Sequence, residues 1–175
     1  LFCAWLAVAG QDAPCAGERC IRCHAPGGWL DGRSNPTDGS RLTLNDREGV
    51  SCDMCHSMVD PIYKPGVSPA FDLLVLEELD EIPTGYGNGQ YVVDDAPIRR
   101  GPFDDATAAP HAWVESPFHR TCELCATCHD VSNPAYHRVS GSDYEPGPLD
   151  KAPTDVDPSV LLPLERTYSE WKASE

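Results

Sequence analysis

The chain has 175 residues, enough for one domain or a domain with a tail. Its 28 acidic against 13 basic side chains give a formal charge of -15. That excludes nucleic acid as a partner, because binding it needs clustered Lys and Arg; it favours a partner with a basic face, or neutralising divalent cations. With 17 prolines, 14 glycines and few periodic apolar stretches, an ordinary hydrophobic core is hard to assemble, and no run approaches the ~20 apolar residues of a membrane span.

The longest apolar run is Leu1 to Ala9. Ala7-Val8-Ala9 before Gly10 resembles the end of a signal peptide, but no basic segment precedes it, so a retained segment is expected. Cys3 is not expected to carry lipid, since a lipidated cysteine normally opens the mature chain. Gln11 to Ile21 is short and polar and runs into Cys20-Ile21-Arg22-Cys23-His24. Ala25 to Ser40 is rich in Gly, Pro, Ser and Asp and reads as loop. Its aspartates do not match the spacing of an EF-hand, which favours a solvated turn over a calcium site. A second pentapeptide, Cys52-Asp53-Met54-Cys55-His56, is separated from His24 by 27 residues, so the two sites are expected side by side.

Pro61 to Arg100 carries no comparable motif. Gly85-Tyr86-Gly87-Asn88-Gly89 is a strong turn signal, and Tyr91-Val92-Val93 reads as a short strand, so a β-hairpin is expected there. Arg99 and Arg100 form the one adjacent basic pair, with acidic cofactor groups and a solvated turn as equal alternatives. Ser116-Pro117 supplies an N-cap and a first-turn proline, which predicts a helix from Pro117 to about Asp130, stopped at Asn133-Pro134. Within it lies Cys125-Ala126-Thr127-Cys128-His129. After Ser140 the chain turns Pro-rich and acidic, a linker or surface arm, and Glu165 to Ser174 predicts a short helix anchored by Trp171. The expected organisation is a domain over 1–140 and an arm with a terminal helix over 141–175.

The three C-x-x-C-H pentapeptides absorb six of nine cysteines. This spacing attaches c-type haem: Cys20 and Cys23, Cys52 and Cys55, and Cys125 and Cys128 add to the vinyl groups, and His24, His56 and His129 reach the irons from one face. Three irons have three remaining axial positions, and three histidines remain, His111, His119 and His137. The count matches bis-histidine ligation throughout; the alternative is that these are ordinary surface residues. Met54 and Met58 are further axial candidates, with packing the favoured role. Cys3, Cys15 and Cys122 are left over, and in an oxidising compartment two of the three are expected to form a disulfide. The pairing stays open.

The segments CIRCHAPGGWLDGRS, GVSCDMCHSMVDP and GPFDDA…PHAWVESPFHRTCELCATCHDVSNP resemble the multihaem c-type cytochromes of bacteria and archaea, a family that includes filament-forming cytochromes. The resemblance covers most of Cys20 to His137. It implies that His111 and His119 are distal ligands, and that the interior is filled by haem, with short helices, irregular chain and a small hairpin wrapped around it. The terminal ERTYSEWKAS resembles a segment that in relatives can precede another haem motif.

Three functions compete on the sequence. An electron-transfer cytochrome, not itself an enzyme, with three covalent c-haems and working outside the cytoplasm (periplasm, cell surface or beyond), accounts for the histidine match. It is compatible with self-association into a filament. A haem subunit of a periplasmic oxidoreductase needs one open iron. A zinc module needs four-ligand sites, for which no second set of C-x-x-C pairs is present.

Overall fold

The computed structural model describes residues 16–107, 110–147 and 160–174. Helix α1 (Ala16–His24) contains the whole first motif. Its Ile21 is fully buried and packs one turn on against Ala25 and against Leu42, the i, i+4 spacing of neighbours on a helix face. Pro26 starts α2 (Pro26–Leu30), where its missing N–H costs nothing. The guanidinium of Arg22 lies 4.3 Å from the Trp29 ring centroid and 5.3 Å from that of Tyr91, so the motif's variable positions carry packing.

The loop from Asp31 to Glu48 is closed by an ion pair. Arg33 forks onto both oxygens of Asp46, at 2.7 and 2.6 Å, and also pairs with Asp31 at 2.7 Å. Asp31 and Asp46 are thus committed to an arginine. Helix α3 (Cys52–Ser57) is capped by Ser51, whose hydroxyl accepts from the Met54 N–H at 3.1 Å, and runs straight into β1 (Met58–Val59).

Strand β1 pairs antiparallel with β2 (Val92–Val93). The expected hairpin around Tyr91 does not form, because the apolar run upstream of the turn is a helix, α4 (Asp72–Glu77). Val59, Leu76 and Val92 bury against one another there. Strand β3 (Ile98–Gly101) pairs in parallel with β4 (Ala112–Glu115), with Arg100 opposite Val114.

The long helix expected from Pro117 is instead a 3₁₀ turn (Pro117–Arg120) and a single-turn helix, α5 (Glu123–Ala126). Pro117 does occupy the first turn, but Ser116 makes no side-chain cap. Its backbone N–H is held by the Gly101 carbonyl at 2.8 Å, and Thr121 is extended at φ -107°, ψ 153°. Beyond α5 come β5 (Val131–Ser140), β6 (Asp143–Pro146) and β7 (Leu161–Glu165), in sheet order β6-β5-β7, both pairs antiparallel. Among the described residues the hairpin is β5–β6, and its sheet ties together residues on both sides of position 140.

The terminal helix α6 (Thr167–Ala173) forms as expected, with different anchors. Trp171 stays 43% exposed. The Tyr168 hydroxyl donates to Glu123 at 3.1 Å, its N–H to the His129 carbonyl at 3.0 Å, and Ser169 donates to Asp130 at 2.7 Å. Among the described residues no helix is long and apolar enough to cross a membrane.

Candidate functional site

The second motif carries the most completely built site. Cys52 and Cys55 stand three residues apart in α3, so both thiols share one helix face. His56 follows them, and its Nδ1 lies 2.6 Å from the Arg100 carbonyl. A carbonyl can only accept, so Nδ1 carries the proton and the lone pair sits on Nε2, the arrangement that prepares an imidazole to bind metal.

His119 arrives from the 3₁₀ turn, which Phe118 pins by burying itself in a cluster with Met54, Met58 and Tyr91. Both methionines are packed in this cluster. Tyr86 stacks on Phe118 at 6.1 Å, and Phe118 meets the His119 ring edge-on at 5.8 Å. His119 donates from Nε2 to the Cys55 carbonyl at 3.0 Å, which leaves its buried Nδ1 without a partner. Burial pulls the pKa of His119 down, so the ring is kept in the neutral form that ligates metal.

The rings of His56 and His119 lie 6.2 Å apart, within 11° of parallel. Two imidazoles bonded at about 2 Å on either side of one ion would have centroids roughly 6 Å apart, so the spacing of this pair matches; as placed the rings are stacked, and ligation would turn their nitrogens toward the ion. His111 stands at the entrance: with Cys52, Asp53, His56 and Arg99 it lines an open cleft of about 240 Å³. Its Nδ1 donates to the Ala112 carbonyl at 3.0 Å. Arg99 pairs with Asp53 at 2.5 Å on the cleft wall, whereas Arg100 is fully buried with Asp72 and Asp94. Of the basic pair, only Arg99 faces the cleft.

The first and third motifs touch through their second cysteines. The Cys23 and Cys128 thiols perturb each other, Cys23 being pushed up and Cys128 held down. Burial raises Cys55, with Cys125 contributing to the rise. The third motif therefore has neighbours from both of the others.

A loop absent from the sequence-level site holds this junction. Gly87, Asn88 and Gly89 all have positive φ, at 110°, 53° and 69°. The Asn88 N–H donates to the Asp130 carbonyl at 3.0 Å, and the Gly89 N–H to Thr127 at 2.8 Å. A Cβ on Gly87 would stand 2.6 Å from the Asp130 oxygen, and one on Gly89 3.2 Å from the Cys23 sulfur. Tyr91 adds a bond from its hydroxyl to the Arg22 carbonyl at 2.8 Å.

His129 and His137 are exposed, the latter in β5 opposite Glu145 and Leu161. Cys122 is exposed as a thiol, while Cys3 and Cys15, the other two cysteines of the expected disulfide, lie outside the described residues. Among the described residues no three His, Cys, Asp or Glu side chains gather as a bare metal ion would need. Two imidazoles and two thiols are also the Cys2His2 set of a zinc site, but among the described residues they do not gather closely enough to hold a bare ion; facing imidazoles beside two thiols fit an iron whose remaining ligands would come from a porphyrin.

No protein-family model, no curated protein and no solved structure matches the chain.

Proposed function

We propose that this chain is an electron-transfer c-type cytochrome binding three covalent haems. The observation that carries the reading is the near-parallel His56–His119 pair, 6.2 Å apart beside Cys52 and Cys55. When bound, each haem supplies an iron that changes oxidation state by one electron. The residues of this chain do the rest. The thiols of Cys20 and Cys23, Cys52 and Cys55, and Cys125 and Cys128 tether and orient. His24, His56 and His129 would each hold the iron at their own motif. His119 would serve the second motif, and His111 and His137 would supply the ligands still needed at the others. Two imidazoles per iron keep coordination the same in both oxidation states, so the protein relays electrons and has no substrate of its own.

The interior is then filled in part by porphyrin, which accounts for a chain of short helices and two- or three-stranded sheets. Thioether attachment of haem belongs outside the cytoplasm, so the site of action is periplasmic, cell-surface or extracellular. A charge of -15 selects redox partners with basic faces and disfavours nucleic acid. Self-association into a filament or larger cytochrome complex agrees with the family resemblance. Intact mass of denatured protein with a pyridine haemochrome assay tests the reading. Three covalent haems per chain are expected, and any other number overturns it. Electron microscopy of the native preparation tests self-association, which uniformly dispersed single copies would exclude.

A further inference from the structure

We propose that Arg100, locked by Asp72 and Asp94, is a positioning residue that fixes the ring of His56 and so sets the reduction potential at the second motif. The proposal rests on the haem reading above. Arg100 is 0% exposed. Its Nε and Nη2 donate to one oxygen of Asp72 at 2.9 and 2.7 Å, and Nη2 also donates to Asp94 at 2.7 Å. Those carboxylates come from separate places, Asp72 opening α4 and Asp94 following β2. The arginine thus ties β3 to two other parts of the fold.

The same residue's carbonyl accepts the Nδ1 proton of His56 at 2.6 Å. A side chain anchored on one end and a main-chain acceptor on the other leave that oxygen little room to move. Its neighbour Gly101 leaves the ring space: a Cβ there would sit 4.0 Å from His56 Nδ1. Burying three charged groups is a costly way to hold a strand, since apolar side chains of the same volume often do as well. The triad is not even saturated, because Arg100 Nη1 and Asp72 Oδ2 lack partners. A role in fixing the acceptor gives that cost a purpose.

A firm Nδ1–H bond makes an imidazole a more basic ligand, which stabilises oxidised iron and lowers the potential. Loosening the bond should raise it. Arg100→Met separates this from simple electrostatics. Losing the cation leaves Asp72 and Asp94 behind, which lowers the potential, or leaves it unchanged if one of them protonates.

Potentiometric titration of the haem-loaded protein, after mass analysis of parent and variant, is the test. One of the three potentials should rise, changing that haem's oxidised-to-reduced ratio at the parent midpoint about tenfold, which is 59 mV for one electron. Arg99→Met, on the cleft wall, is the charge control and should lower a potential or leave all three in place. If Arg100→Met does not accumulate, Arg100→Lys carries the same expectation, because it keeps the charge but not the fork that spans two carboxylates. A parent with three haems in which the Arg100 variant's potentials fall or stay, or in which Arg99→Met produces the same rise, overturns the positioning role alone. A parent without covalent haem overturns the haem reading and this proposal together.

Discussion

The surroundings of the second motif and the sheet that follows the third motif are built on opposite plans. Around His56 the polar groups are buried and fixed: Arg100 and Asp72 are fully enclosed, Asp94 nearly so, and His119 is walled by Phe118. In the sheet, His137, Arg138 and Val139 lie exposed in β5, and backbone pairing does most of the holding. Burying ionised groups is expensive unless they are paired and hydrogen-bonded. Where a small chain does so around an imidazole, the geometry of that imidazole is what the fold is protecting.

The sharpest break in this contrast comes from the histidines themselves. In the loaded protein, His119→Ala should open one iron, giving one high-spin haem and one equivalent of carbon monoxide bound on reduction, while the parent binds none. Optical titration reads both. His137→Ala should open its own iron but cost less folding stability than His119→Ala, since its side chain is solvent-exposed whereas Nδ1 of the His119 ring is buried. A large stability loss there would erase the distinction between the two regions.

Next in size is the triad. Asp72→Ala should destabilise by about 3 kcal/mol in denaturant titration, because it leaves the buried Arg100 Nε without an acceptor and Asp94 as the one remaining counter-charge. A loss below about 1 kcal/mol would mean that water reaches Arg100.

The junction between the first and third motifs should respond less. Gly87→Ala combines a φ of +110° with a Cβ 2.6 Å from the Asp130 carbonyl, a strain of about 1–3 kcal/mol. Gly85→Ala, with nothing within 4 Å, should be nearly silent. Equal effects at both positions would argue that the loop does not clamp the motifs.

The smallest effect is in acid. Hydrogen bonds from Arg33 hold the Asp46 carboxyl well below the usual carboxylate range. A depressed folded-state pKa adds stability that is present above the ordinary carboxylate pKa of about 4, and lost as pH falls from there through the folded value. Asp46→Asn should therefore lower stability at neutral pH and flatten the acid limb of the stability profile. An unchanged acid limb would show that the pair is not coupled to folding.

The chain's motifs were legible where they are local. C-x-x-C-H places two thiols and an imidazole within one helical turn, so six cysteines and three histidines could be named from spacing alone. The same holds for α6, whose signals lie within a few residues, whereas at Pro117 the local signal marked the start of a turn but not that the chain leaves it at Thr121. What was hidden depends on residues far apart. Phe71 to Leu76 has the apolar content of a strand, yet it forms a helix because Leu76 packs on Val59 and Val92. The turn signal at Gly85 to Gly89 was clear, but not that Asn88 and Gly89 would bond to Asp130 and Thr127. Arg100 read as half of a basic pair facing either acidic cofactor groups or solvent, and only Asp72 and Asp94, 28 and 6 residues away, explain why it is inside.

The His119 contact with the Cys55 carbonyl joins positions 64 residues apart, and that separation bears on how the molecule is made. His111 lines the cleft beside His56 and lies eight positions nearer to His56 in the chain than His119 does. Loop-closure entropy grows only as the logarithm of length, about 0.6 kcal/mol per doubling, so chain length hardly discriminates between the two histidines during folding. Selection falls to packing: Phe118 must be buried before His119 is held, and until then the nearer imidazole is an equal competitor. Refolding with haem already attached should therefore pass through a misligated state whose lifetime is set by ligand release, and excess free imidazole should shorten it.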